Sequence, residues 1–133
     1  MHHISYYIKG MPRFGIHVRY KPRKWFTLFS GKEELEFLLE DRRRSADVFV
    51  CKSFKELAHN VAIILTNDYM NILMRAYPKP QDRVADITVY KDFYVRHYGA
   101  TLIAMDLPES MLGSLELEAI EIAKKYGGAS GGN

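Results

Sequence analysis

The stretch Arg13 to Lys21 constrains this chain more than any other. Phe14, Ile16, Val18 and Tyr20 alternate with Arg13, Gly15, His17, Arg19 and Lys21, a period of two that a strand converts into one apolar and one basic face. Pro22 has no N–H to give a sheet ladder and is expected to end that strand. Beyond it, Trp25-Phe26-Thr27-Leu28-Phe29 is apolar on both sides, the pattern of a strand covered on both faces.

Upstream, Ile4, Tyr6 and Ile8 alternate with His3, Ser5, Tyr7 and Lys9, and Gly10-Met11-Pro12 is a turn signal. Together the two runs predict a hairpin whose outer face carries His3, Tyr7, Lys9, Arg13, His17, Arg19 and Lys21. Ser30 and Glu33 then have the spacing of a capping box. A helix is expected there, with Leu35, Leu38 and Leu39 buried and Arg42-Arg43-Arg44 near its C-terminus, where positive charge suits the helix dipole. Ala46 to Cys51 reads as a short strand apolar on both sides. Ser53 and Glu56 repeat the capping signature before Phe54, Leu57, Ala58, Val61, Ile64 and Leu65, which follow the 3.6-residue period. Strand, cap and helix occurring twice suggests a βαβα unit with neighbouring parallel strands and a right-handed crossover.

Tyr69, Ile72, Leu73 and Ala76 keep the frame of that second helix, so it is expected to continue through Thr66-Asn67-Asp68 to Tyr77. Ile63, Met70 and Met74 form a second apolar stripe on it, explained by deep burial or by a subunit interface. Pro78 and Pro80 mark a loop. Val84 to Tyr90 and Tyr94 to Met105 read as an antiparallel strand pair across Lys91-Asp92, with Tyr94, Arg96 and Tyr98 on one face. Asp106 to Glu109 resembles a third helix start, with Leu112, Leu115, Ala119, Ala123 and Tyr126 as the buried face and Gly127-Gly128 as the stop. The expected fold is one α+β domain over residues 1–126: a mixed sheet of about six strands opening with the hairpin, a central βαβα unit, and three helices mostly packed on one face. Residues 127–133 are expected to be a flexible Gly-rich tail.

The 133 residues, 47% hydrophobic and 26% charged, have the size and composition of an ordinary globular domain. No apolar run approaches the roughly 20 residues that cross a bilayer, and the N-terminus lacks an apolar run of signal-peptide length. A cytoplasmic protein with no membrane partner is expected. Cys51 is the one cysteine, which precludes an intramolecular disulfide and a four-cysteine zinc site, and it reads as a small buried hydrophobe. One Gln, four Asn and abundant Arg, Lys, Glu and Tyr resemble a thermophile's usage.

Charge is unevenly placed. Residues 1–30 hold six basic side chains and no acid, residues 31–83 nine of each, and residues 84–133 four basic against seven acidic. A basic end of this kind attracts a polyanion. Phosphates call for cations, and single strands or RNA also call for flat rings. Lys9, Arg13, His17, Arg19, Lys21, Arg23, Lys24 and Tyr7 are therefore the candidate contacts to DNA or RNA, with Arg96 and Tyr98 extending the surface. Trp25 falls in the expected core strand, so phosphate contact is favoured over base stacking. No ribonucleoprotein motif, zinc-finger spacing or helix-turn-helix accompanies the patch.

The alternative is a homo-oligomeric structural or adaptor protein, a homodimer joined through Ile63, Met70 and Met74 or by acidic helix against basic hairpin. A metal-dependent nuclease comes third, from Asp86, Asp92 and Asp106 at or near expected strand positions, but the Asp…Glu-x-Lys arrangement is missing. His3-Ile4-Ser5 is half of the paired motif of two-histidine phosphoesterases, and the second half does not occur. His2, His3 and His17 could meet across the hairpin as metal ligands, yet histidines on a strand face are common. No Gly-rich phosphate loop, nucleophile elbow or dinucleotide fingerprint is present, so no cofactor is expected and no catalytic residue is assigned.

Overall fold

The computed structural model describes residues 3–8, 10–22, 33–43 and 48–126, with the backbone alone at 3–7, 20–22 and 33–35. Contacts divide the chain into two compact units, Met1–Leu57 and Ala58–Asn133. The class is α+β. In the first unit, strands β1 (His3–Ile8), β2 (Met11–Pro22), β3 (Glu33–Asp41) and β4 (Val48–Cys51) form an antiparallel sheet in the order β1-β2-β3-β4.

The hairpin forms where the alternation puts it. Ile4 lies opposite Val18 and Tyr6 opposite Ile16, and the register shifts between Tyr7 and Ile8. Gly10 turns the chain at φ 78°, a left-handed conformation that glycine adopts without a Cβ clash. Phe14, Ile16 and Val18 are buried as the apolar face requires.

The expected helix after Ser30 is replaced by β3. Leu35, Phe37 and Leu39 lie opposite Tyr20, Val18 and Ile16, and Glu36 lies opposite Arg19. Glu and Leu favour a helix by only tenths of a kcal/mol per residue. Cross-strand apolar and opposite-charge pairs of roughly 0.2–1 kcal/mol each, summed along the ladder, outweigh that preference. Strand β4 in turn pairs antiparallel with β3, with Leu38 opposite Val50. The βαβα unit with parallel strands and a crossover is therefore not formed, and the described sheet has four antiparallel strands in place of about six mixed ones. As the last strand in the order, β4 is apolar and buried on one side only: Cys51 is fully buried, while Val48 is 54% and Val50 49% exposed. The expected strand Trp25 to Phe29 and the tail lie outside the described residues.

Helix α1 (Phe54–Ala76) runs unbroken through Thr66-Asn67-Asp68. The Glu56 N–H donates to Ser53 Oγ at 3.1 Å, and Glu56 Oε2 accepts from the Lys52 N–H at 3.0 Å. These bonds satisfy donors that a helix start leaves unpaired. Leu57, Ala58, Val61, Ala62, Ile64 and Thr66 are buried. In the second apolar stripe Met70 is buried, Ile63 half-buried and Met74 exposed.

The expected strand pair at 84–105 is instead helix α2 (Asp86–Met105). Its β-branched and aromatic residues imitate a strand, yet the relations that form are those of a helix surface. Asp92 pairs with Arg96 at 2.9 Å, and the Tyr94 and Tyr98 rings stack with centroids 5.8 Å apart. Asp106 takes a left-handed conformation, φ 51°, and its N–H donates to the Leu102 and Ile103 carbonyls. It therefore closes α2 and does not open the next helix.

Helix α3 (Ser114–Lys125) begins after Gly113, whose N–H donates to Glu116 Oε1 at 2.8 Å. Its packed residues are Glu116, Ala119 and Ala123, and Leu115, expected in the buried face, is 73% exposed. Gly99 is what lets α2 and α3 approach. A Cβ there would overlap the Ala119 carbonyl group and lie 2.9 Å from Ala123 Cβ. Among the described residues no helix is long and apolar enough to cross a membrane.

Candidate functional site

The basic residues of β2 do share a region of the sheet, but each described one meets an acid of β3. Arg13 donates from Nε and Nη2 to Asp41 Oδ1 and Oδ2 at 2.7 and 2.8 Å. Asp41 is fully buried and also accepts the Arg43 N–H at 3.1 Å, while the Arg13 guanidinium lies 5.2 Å from the Phe14 ring centroid. Arg19 Nη2 sits 3.3 Å from both Glu36 oxygens, and His17 Nε2 is 3.6 Å from Glu40 Oε2. Arg42 approaches the other Glu40 oxygen at 3.7 Å and donates to the Pro12 carbonyl at 3.0 Å. The face is a ladder of basic side chains set against acidic ones.

Of the remaining candidates, Tyr7 is opposite Gly15 and Lys21 opposite Glu34 by backbone register. Lys9, Arg23 and Lys24 lie outside the described residues. Reading β3 as a helix hid the acidic partners Glu36, Glu40 and Asp41. Their signal was the alternation of Leu35, Phe37 and Leu39 with Glu34, Glu36 and Glu40.

Arg96 and Tyr98 lie in the second unit on α2, and they do not share a strand face. The Arg96 guanidinium lies over the Tyr126 ring at 3.8 Å and the Phe93 ring at 5.0 Å from their centroids. The Tyr98 hydroxyl donates to Glu116 Oε2 at 3.1 Å. Burial, then the Glu116 carboxylate, raises the Tyr98 pKa well above its ordinary value. Tyr94, also raised chiefly by burial, shares a hydrogen bond with His59 Nδ1. His97 Nε2 is buried without a hydrogen-bond partner among the described residues. Burial, then the neighbouring Arg96, pushes the His97 pKa down.

The carboxylates of the nuclease reading are not at strand positions. Asp86 begins α2, Asp92 is engaged with Arg96, and Asp106 caps α2. Among the described residues no three His, Cys, Asp or Glu side chains gather as a metal-ligand set.

A feature that sequence reasoning missed lies in the second unit, where the last turns of α1, the first turns of α2 and the intervening loop enclose a cleft of about 280 Å³. Tyr69, Leu73, Val89 and Phe93 supply apolar wall, and Tyr77, Val84, Asp82, Arg83 and Asp86 complete the lining. The Tyr69 and Phe93 rings stack at 3.9 Å. Arg83 donates from Nε and Nη2 to the two Asp86 oxygens at 3.0 and 3.1 Å and from Nη1 to the Tyr77 carbonyl. The hydrogen bond from Arg83 holds the Asp86 carboxyl below its ordinary range. The available signal was the Arg83-Asp86 spacing of three beside the Pro78-Lys79-Pro80 loop, obscured when Asp86 was read into a strand. Comparisons with protein-family models, curated proteins and solved structures return no match for this chain.

Proposed function

We propose that this chain binds nucleic acid through the phosphate backbone, without turnover, and that its first unit carries the contact. The observation behind this reading is charge: residues 1–57 hold twelve basic and seven acidic side chains, net +5, while residues 58–133 hold seven basic and nine acidic, net −2. That excess persists even though β3 brings five acids, Glu33, Glu34, Glu36, Glu40 and Asp41, into the sheet. Pairing changes which cations do the work. Arg13, His17 and Arg19 face carboxylates, so the phosphate contacts shift toward Lys9, Arg23 and Lys24 and toward the exposed Arg43 and Lys52. Few base-reading groups accompany them, so sequence preference is weak.

The test is a salt titration of DNA and RNA binding by the wild type and by Lys9→Glu/Arg23→Glu/Lys24→Glu. Arg19→Glu is the poorer probe, because it would set two carboxylates together at Glu36. Contact with about four phosphates of duplex DNA gives a log affinity against log salt slope of roughly −3.6, and the triple variant loses most of it. Binding by neither nucleic acid at low salt, or equal binding by both proteins, would overturn the proposal.

A second reading, self-association, rests on β4. It ends the described sheet, and Val48 and Val50 are about half exposed on it; such an edge is a template for another strand. Light scattering separates the cases: a strict monomer at high concentration removes self-association and leaves nucleic-acid binding untouched.

A further inference from the structure

The cleft of the second unit has the composition of a small-ligand site. Its volume of about 280 Å³ is just below the roughly 300–1,000 Å³ typical of ligand pockets, enough for one ring with a short chain. Six of its lining side chains, Tyr69, Leu73, Tyr77, Val84, Val89 and Phe93, are apolar or aromatic, and the three others are Asp82, Arg83 and Asp86. Such a wall takes a hydrocarbon body, and the charged groups decide what that body must carry.

Those charges do not cancel. The Arg83 guanidinium is spent on Asp86, which it grips with two donors, while a third goes to the Tyr77 carbonyl. Asp82 is exposed, and its backbone N–H bonds the Lys79 carbonyl at 3.0 Å. Its carboxylate has no ion-pair partner among the described residues. An anion entering the cleft would meet this uncompensated negative charge and would find Arg83 already neutralised. A cation would be attracted by Asp82 and by the exposed ring of Tyr77, since aromatic rings favour ammonium groups over their faces. We infer that the cleft binds a small amphipathic ammonium compound, an aromatic or branched hydrocarbon body bearing one amine, with the body against Leu73, Val89 and Phe93 and the ammonium at Asp82.

This inference does not depend on the nucleic-acid reading, which concerns the first unit. The test uses the full chain at neutral pH and three probes of matched shape: 2-phenylethylammonium, neutral 2-phenylethanol and anionic 3-phenylpropanoate. Protein chemical shifts report binding. The ammonium probe is expected to produce saturable shifts at Tyr69, Val89 and Phe93, with a dissociation constant on the order of 1 mM for so few heavy atoms. The alcohol should bind about threefold more weakly, the worth of one ion pair to an exposed carboxylate, and the carboxylate more weakly still. Asp82→Asn, an exposed substitution that leaves the Arg83–Asp86 pair in place, should reduce ammonium affinity about threefold while leaving the alcohol unchanged. Leu73→Trp, which fills the cleft, should abolish both. Equal affinity for the ammonium and carboxylate probes, undiminished ammonium binding by Asp82→Asn, or no saturable shift with any probe would overturn the assignment.

Discussion

The two units bring their elements together in different ways. In the sheet, β2 brings cations and β3 brings acids, and the register sets them against one another: Arg13 grips the fully buried Asp41 and Arg19 meets the buried Glu36. In the helical unit, α2 and α3 come together through small residues. Gly99 faces Ala119 and Ala123, and among the polar groups of α2 Tyr98 is satisfied by Glu116 while His97 Nε2 has no hydrogen-bond partner among the described residues. The sheet is thus specified by charge matching across a ladder, and the helix pair by the absence of side-chain volume.

Removing the acid from the sheet should have the largest effect. Asp41→Ala leaves Arg13, only 14% exposed, without its carboxylate, and breaking one side of a buried pair costs about 3–5 kcal/mol. Urea denaturation should show a loss near 3 kcal/mol, at the lower end because Arg13 keeps some contact with water, with the greatest gain in amide exchange on β2 and β3. Uniform loosening of both units would mean that the pair is not a local clasp.

On the helical side, Gly99→Ala places a methyl group into the Ala119 carbonyl, a backbone group that cannot rotate away. Overpacking of this kind costs about 1–3 kcal/mol. The expected sign is the reverse of an ordinary mid-helix glycine-to-alanine change, which stabilises by up to about 1 kcal/mol. A stabilised variant would show that α2 and α3 do not pack this closely.

The smallest effect separates the units by pH. His97 has its pKa depressed below 6.5, by burial and then by Arg96, so the fold prefers it neutral. Its stabilising contribution is present above the unfolded-state value, about 6.5, and is lost as pH falls through the depressed folded-state value. Between pH 7 and pH 5 the wild type should lose more stability than His97→Phe, measured as the divergence of two melting-temperature curves. Parallel curves would show that this imidazole is not confined in its neutral form.

How much of this was legible in the sequence differs by element. Arg13 to Lys21 and Ile4 to Ile8 read correctly because their period of two has no helical counterpart, and Gly10 marks their turn. Helix α1 read correctly through Thr66-Asn67-Asp68 because the apolar frame continues on both sides. Residues 33–41 did not, because Glu and Leu are good helix formers and Leu35, Leu38 and Leu39 also fit a helical stripe. Residues 86–105 failed for the converse reason: Val89, Tyr90, Tyr94 and Val95 favour strands, while the evidence for a helix lay in Asp92 with Arg96 and Tyr94 with Tyr98. The charged face was seen from one side only. Its cations were visible as a run, and its anions were assigned to a different kind of element.

The sequence by itself determined the N-terminal hairpin, the long helix, the buried lone cysteine and the polarity of charge along the chain. Periodicity, capping residues and composition are local properties, and they act before any distant segment arrives. Tertiary structure alone decided that Glu33–Asp41 pairs with β2, that the basic face is neutralised where it is described, and that Tyr69, Asp82, Arg83 and Phe93 surround one cleft. Those outcomes depend on which segments meet, and contact between residues distant in the chain is set by the summed free energy of the assembled layers, to which local propensity contributes only tenths of a kcal/mol per residue.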